Sequence, residues 1–230
     1  MVTTLFAGPC SQTGTLALPS NEMPVLFENL ARNLETKGYS VHTNALPDGL
    51  SQKLWDLQQA IPATDYHTAG VGRHGTFKVD GLVRSDRISW IDGTSGAGVA
   101  WDLWAASLQT FLNARLYLGL FSFESHFSHY ADGGYYQKHQ DAFLGQDNRI
   151  LSIVTYLNRD WRHSDAGELV LFTGDKGDAP IIIAPQFGTL VAFLSEEIPH
   201  EVLMTNCDRL SIAGWFRVSG SAVKRNNSLQ

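Results

Sequence analysis

Apolar residues recur at helical spacing in the first half of the chain. Between positions 24 and 37 they are Leu26, Phe27, Leu30, Ala31 and Leu34, which share one face of a helix. Gly38 follows, where a left-handed C-terminal cap falls. Leu50, Leu54, Leu57 and Ile61 form a second stripe, with Asp48 as its N-cap. A third helix is predicted over about 99–118, stopped by Gly119. From Leu120 the period changes to two. Phe121, Phe123, Ser125, Phe127 and His129 alternate with Ser122, Glu124, His126 and Ser128, the signature of a strand. Further strands are predicted over 150–157, 168–173, 180–184, 189–194 and 210–218, separated by Gly, Pro and Asp turns. Many short strands of this kind build a sandwich, a barrel or a jelly roll. The fold class is therefore α+β and mainly β, with supporting helices at the N-terminal end. Residues 1–20 read as an extended segment, 21–218 as one domain with its β core at about 120–218, and 219–230 as a frayed tail.

Composition narrows the function classes. With 43% hydrophobic residues among 230, the chain can bury a full core and is not a disordered polymer. No apolar run approaches the ~18 residues of a membrane span. The first 21 residues carry no charged side chain, but they lack a basic start, and Gly8, Pro9 and Gly14 interrupt any apolar run; an extension is expected rather than a targeting segment. The net charge of −6 argues against a partner read through its phosphates. Cys10 and Cys207 make no disulfide framework, so a reducing compartment, the cytoplasm, is expected.

A Gly-rich stretch, Gly70-Val-Gly72-Arg-His-Gly75, spells a dinucleotide-loop pattern. That reading requires a strand before it and a helix after it. Instead Ile61-Pro62 precedes it and the strand-like Thr76 to Val79 follows, so a hairpin or loop is expected. The chemistry concentrates elsewhere. His139 and Asp141 stand two apart, which on a strand puts both on one face, able to meet one ion. His200 stands far downstream at the start of another predicted strand. Two imidazoles and one carboxylate can form the facial set that leaves open positions on iron(II); a closed zinc site would not. Arg209 follows nine residues after His200, ahead of the apolar run Leu210 to Phe216. There it can face the same cavity and clamp a carboxylate. His126 and His129, three apart, fall on opposite faces of their strand and are not expected to chelate together. His42, His67, His74 and His163 are expected at the surface or in local hydrogen bonds.

The order of HxD, distal His and Arg resembles the 2-oxoglutarate- and iron(II)-dependent dioxygenases. The spacing Tyr130-x-x-Gly133-x-x-Tyr136-x-x-His139-x-Asp141 resembles their prolyl-hydroxylase branch. Three further segments resemble the hypoxia-inducible-factor prolyl hydroxylases and their bacterial relatives: Val83 to Gly93, Tyr156 to Trp161, and Pro199 to Val202. The resemblance spans about 82–218. Glu168 departs from it, standing where those relatives tend to have a glycine.

The resemblance implies a double-stranded β-helix (jelly roll) buttressed by helices. It implies His139, Asp141 and His200 as iron ligands, and Arg209 paired with the distal carboxylate of 2-oxoglutarate, helped by Tyr156 and Tyr130. Leu169 and Trp215 would line that pocket. Arg84 and Asp86 would lie on a loop closing over a peptide, though a local ion pair explains them equally well. Strict alternation puts Tyr136 on the face opposite His139, so its place with the substrate residues competes with a core role. Trp90 reads as core. The implied activity is hydroxylation of a protein, at a peptidyl proline, with O2 as second cosubstrate, succinate and CO2 as products, and ascorbate as an auxiliary reductant. The bacterial relatives suggest a translation factor as partner. Hydroxylation of a free amino acid or small metabolite is the alternative. The nucleic-acid dealkylase branch carries a second arginine six residues after the first, where this chain has Trp215. A non-catalytic β-barrel module would not need all four site residues. A cupin would show an HxH pair with a nearby Glu, which HQD lacks.

Overall fold

The computed structural model describes residues 22–70, 81–142, 148–174 and 179–219. The proposed N-terminal extension, the Gly-rich motif beyond Gly70 and the C-terminal tail lie outside them. Three helices, α1 (Glu22–Lys37), α2 (Asp48–Ala60) and α3 (Gly96–Leu116), accompany eleven strands among the described residues. These are β1 (Tyr39–His42), β2 (His67–Thr68), β3 (Arg87–Trp90), β4 (Ser122–Tyr130), β5 (Tyr136–His139), β6 (Arg149–Tyr156), β7 (Leu169–Leu171), β8 (Ile181–Ile183), β9 (Leu190–Leu194), β10 (His200–Val202) and β11 (Arg209–Arg217). Seven form one antiparallel sheet in the order β1-β9-β6-β11-β4-β3-β2, and four form a second in the order β5-β10-β7-β8. This is the double-stranded β-helix that the resemblance implied.

The helix ends follow local chemistry. Gly38 adopts φ +74°, and its N–H returns to the Leu34 carbonyl at 3.0 Å, as a left-handed cap requires. Two boundaries differ from expectation. Asp48 is the first residue of α2, and Pro47 holds the N-cap position; a proline cap supplies a preset φ in place of a side-chain bond. Helix α3 starts earlier than expected because Ser95 caps it, its Oγ accepting from the Gly98 N–H at 3.0 Å. It ends at Tyr117, which takes the left-handed conformation ahead of Gly119.

Period-two patterning sorts the large sheet into two faces. Phe127, Leu151, Ile153, Leu190, Ala192, Ile212 and Phe216 face the helices, meeting Leu30, Leu54, Trp101, Trp104 and Leu108 in the main core. Gly214 lies between Ile212 and Phe216, where a Cβ would sit 2.7 Å from Phe123 Cζ; only glycine leaves that ring its place. The alternate residues turn to the second sheet. There Tyr130, Tyr156, Val191 and Phe193 pack with Leu169, Leu171 and Ile183. Leu108, on the sheet-facing side of α3, is fully buried. Leu108→Ala is expected to lower unfolding free energy by about 2–5 kcal/mol, read as a drop in the urea midpoint. An unchanged midpoint would contradict the packing described.

Trp90 does not belong to the core: it is 52% exposed. Strand β3 lies near the sheet margin with only the two-residue β2 outside it, so no layer covers the indole. No helix among the described residues is long and apolar enough to cross a membrane.

Candidate metal centre and its anion pocket

The inner face of the β-helix gathers polar groups at two points. At the first, His139, Asp141 and His200 each offer a ligand atom, all within 4.8 Å of one another. His139 Nε2 lies 3.7 Å from Asp141 Oδ1, and His200 Nε2 lies 3.7 Å from Asp141 Oδ2. Antiparallel pairing of β5 with β10 sets His139 directly opposite His200, which is how residues so distant in sequence meet. Asp141 lies just past the end of β5 rather than on it, and the chain turns it inward toward Ser152 of β6, whose hydroxyl donates to Oδ2 at 2.6 Å.

Each imidazole is oriented by a bond behind it. His139 Nδ1 donates to the Gln137 carbonyl at 2.8 Å, and His200 Nδ1 donates to the Ile198 carbonyl at 3.1 Å. The proton on Nδ1 leaves Nε2 bare and pointing at the cluster, the state a metal ligand needs. Burial, then the neighbouring His200, pushes the His139 pKa down to about 4. Burial raises the Asp141 carboxyl, but His200, His139 and the Ser152 hydroxyl outweigh it and hold the pKa near 2. Two neutral nitrogens and an anionic oxygen, with no fourth His, Cys, Asp or Glu in the cluster among the described residues, suit iron(II) with positions to spare.

Tyr136 overturns the strict alternation expected from its sequence position. Between His200–His139 and Val202–Tyr136 the register slips, so two intervals of β10 oppose three of β5. Such a bulge turns a side chain to the other face. Tyr136 therefore stacks on His139, with ring centroids 3.5 Å apart and planes inclined by 13°. The Arg84 guanidinium lies 4.4 Å over the same ring. Arg84 also grips Asp86 with two bonds of 2.7 Å and donates to the Gly70 carbonyl at 3.3 Å. Arg84 and Asp86 thus spend their charges chiefly on each other. Asp86 is fully buried.

The second point is Arg209, 3% exposed at the head of β11. Its Nε donates to the Gly167 carbonyl at 2.7 Å and its Nη1 to Ser211 Oγ at 3.3 Å. Tyr130 and Tyr156 flank it, each ring centroid 5.1 Å from the guanidinium carbon. No carboxylate pairs with it among the described residues. A buried cation without a counter-charge is costly, and the nearby Tyr156 hydroxyl is buried with no hydrogen-bond partner. Both deficits are met by one anion that accepts from the guanidinium and the phenol. Burial, opposed by Arg209, pushes the Tyr156 pKa up to about 12, so the phenol keeps its proton for such an acceptor. Leu169 is buried with Tyr130 and Tyr156, whereas Trp215 is buried six residues further along β11, opposite Ser152 on the metal side.

Several contributors had only weak sequence signals. Gly167 looked like a turn residue, but a Cβ there would lie 3.0 Å from Arg209 Cδ and 2.9 Å from Thr205 Cβ. Its φ of +76° and its carbonyl together seat the arginine. Arg149, at the start of β6, lies 3.7 Å over the Trp215 ring and bonds Glu124 at 2.9 Å. Ser152 read only as a strand residue.

Protonation couples this region to stability. Burial also pushes the His126 pKa down to about 4. In the unfolded chain His126 and His139 take up protons near pH 6.5; in the folded metal-free protein they do so only near 4. The unfolded state binds more protons in that window, so stability is full above pH 6.5 and is lost as pH falls to 4, by roughly 3 kcal/mol per histidine. Urea midpoints of metal-free protein are expected to fall from pH 7 to pH 4.5; an equal or higher midpoint at pH 4.5 would refute this.

Residues 125–217 match the model of the 2OG-Fe(II) oxygenase superfamily. A prolyl-4-hydroxylase of Pseudomonas putida is 35% identical, with 85% of this chain and all of that one covered, at a TM-score of 0.76. A Trichoplax adhaerens prolyl hydroxylase, solved with a peptide of the hypoxia-inducible factor oxygen degradation domain, is 24% identical over 91% of this chain and 95% of its own, at a TM-score of 0.74. Human Egl nine homolog 1 is 24% identical over 207 residues, which cover 86% of this chain. The chain spans about half the length of that curated relative, 48%.

Proposed function

Because this chain belongs to the 2OG-Fe(II) oxygenase superfamily, we propose that it hydroxylates a proline within a protein or peptide, consuming 2-oxoglutarate and O2 and releasing succinate and CO2. The observation that carries this reading is a three-donor cluster on the small sheet and a buried guanidinium without a carboxylate partner among the described residues on the large sheet. The likeness to the Pseudomonas putida prolyl-4-hydroxylase supports the proline, and the peptide bound to the Trichoplax adhaerens neighbour supports a polypeptide substrate.

In this reading His139, Asp141 and His200 hold iron(II). When bound, the metal and 2-oxoglutarate together supply the oxidising power that O2 alone lacks toward an unactivated C–H bond. The protein supplies position. Arg209 receives the distal carboxylate, with the Tyr156 O–H donating a hydrogen bond to it and Tyr130 closing the opposite side. Leu169 and Trp215 keep the pocket dry, which strengthens these polar contacts. The Arg84–Asp86 pair and Tyr136 brace the metal side of the mouth, between the chain entering at Gly70 and His139. Arg149, stacked on Trp215, lines the other side. Iron(II), 2-oxoglutarate and O2 are the cofactor and cosubstrates of this reading, with ascorbate as an auxiliary reductant. A translation factor is one partner that the family resemblance suggests.

The test is incubation of iron-loaded protein with 2-oxoglutarate and a bacterial lysate, followed by peptide mass spectrometry. The expected product is a gain of one oxygen on a proline of a specific protein, dependent on 2-oxoglutarate. Succinate release with oxygen found only on a small molecule would move the substrate class to metabolites. Absence of 2-oxoglutarate binding would end the reading.

A further inference from the structure

Strands β4, β11 and β6 arrange the inner face in levels. Arg209 lies opposite Tyr130; the next level holds Ser211 with Ser128 and Tyr156; the next, Ala213 with His126 and Val154; the last, Trp215 with Glu124 and Ser152. The Arg209 guanidinium bends along the strand to Ser211 Oγ, so the carboxylate-accepting end belongs to the second level. The metal cluster is tied to the last level through the Ser152–Asp141 bond. A dicarboxylate spanning the two ends must cross the level between them. Ala213 has no side chain beyond Cβ to obstruct it, and Val154 and the adjoining Val191 of β9 are apolar. His126 is the polar side chain of that level.

His126 is 3% exposed, and the mechanism above leaves it unused. Its ring stands edge-on to Trp90 at 5.1 Å and lies 5.3 Å from Trp215. Nδ1 meets Ser128 Oγ at 3.1 Å. With the serine hydroxyl donating to Nδ1, Nε2 carries the N–H; the Phe127 backbone also interacts with the ring. A buried polar ring on the level between Arg209 and the metal cluster stands where an N–H donor could meet an anion spanning the two.

We propose that His126 touches the cosubstrate, its Nε2–H donating to the carboxylate of 2-oxoglutarate on the metal side. This rests on the reading of the pocket as a 2-oxoglutarate site. The chemistry recognised is an α-keto acid bearing a second carboxylate; Arg209 reads the far end and His126 the near one.

The experiment is calorimetric titration of 2-oxoglutarate into the manganese(II)-loaded protein without O2, so that no turnover intervenes. His126→Phe keeps a ring between the two indoles and removes the donor. It is expected to weaken 2-oxoglutarate binding ten- to a hundredfold, the range for one hydrogen bond to a charged group. His126→Gln restores an N–H donor and is expected to recover most of that loss. Ser128→Ala, which leaves the imidazole but releases its tautomer, is expected to give a smaller loss. Manganese affinity without 2-oxoglutarate should be unchanged in all three. Wild-type 2-oxoglutarate affinity in His126→Phe, or a parallel loss of metal affinity, would overturn the assignment. A wild-type protein that binds manganese but not 2-oxoglutarate would instead sink the proposed function, and the inference with it.

Discussion

Replacing His139 with alanine is expected to lower iron(II) affinity at least a hundredfold and to reduce succinate production by about a thousandfold or more. Loss of a mere outer partner of a metal ligand typically costs ten- to a hundredfold; removing one of three donors costs more. The fold should survive. His139 ends the short strand β5, its side chain is part-exposed, and its ring contacts are with Tyr136 and His200. Metal titration and far-ultraviolet circular dichroism on the same sample separate the two effects. Full succinate production by this variant would remove His139 from the proposed ligand set. So would unaltered iron affinity.

Arg209→Ala is the second large effect. The guanidinium is the buried positive charge of the anion pocket, and a two-pronged contact with a carboxylate is stronger than two neutral bonds. At about 1.5–3 kcal/mol for a hydrogen bond to a charged group, the KM for 2-oxoglutarate is expected to rise by about a hundredfold, while iron affinity stays as it was. Lysine at this position should not rescue it, because a point charge cannot reproduce the planar fork held by Gly167 and Ser211. Stability should fall modestly: alanine strands the Gly167 carbonyl, at roughly 1–3 kcal/mol, but also removes an unpaired buried charge. Steady-state kinetics with varied 2-oxoglutarate, beside a urea melt, read both. An unchanged KM would place the distal carboxylate elsewhere.

Spacing made His139, Asp141, His200 and Arg209 candidates, and the family resemblance supplied the roles proposed for them. Each stands at or beside a strand end, and the folded sheets bring the first three together. The same locality explains why the helices were found within a few residues: amphipathic stripes and end signals are properties of neighbouring positions. Tyr136 was misplaced because alternation assumes a continuous ladder, and the slip against β10 is made by pairing between distant strands. Trp90 was misplaced because a large apolar residue on a strand is buried only if another layer reaches it, and β3 lies too near the sheet margin. Gly167 and Arg149 carried no signal of their own; each acquires its role from the side chain it meets.

The order of helices and strands was written in the chain itself, since it depends on short-range periodicity, and residue chemistry offered candidate metal donors and an arginine suited to a carboxylate. Which residues face one another across β4, β11 and β6 was decided only by the folded sheets. Register is a property of strand pairs, and one step of slip moves a side chain to the opposite face. The tertiary structure therefore set His126, passed over by spacing, on the level between Arg209 and the metal cluster, and joined Arg84 to Asp86 as the local ion pair the sequence also allowed.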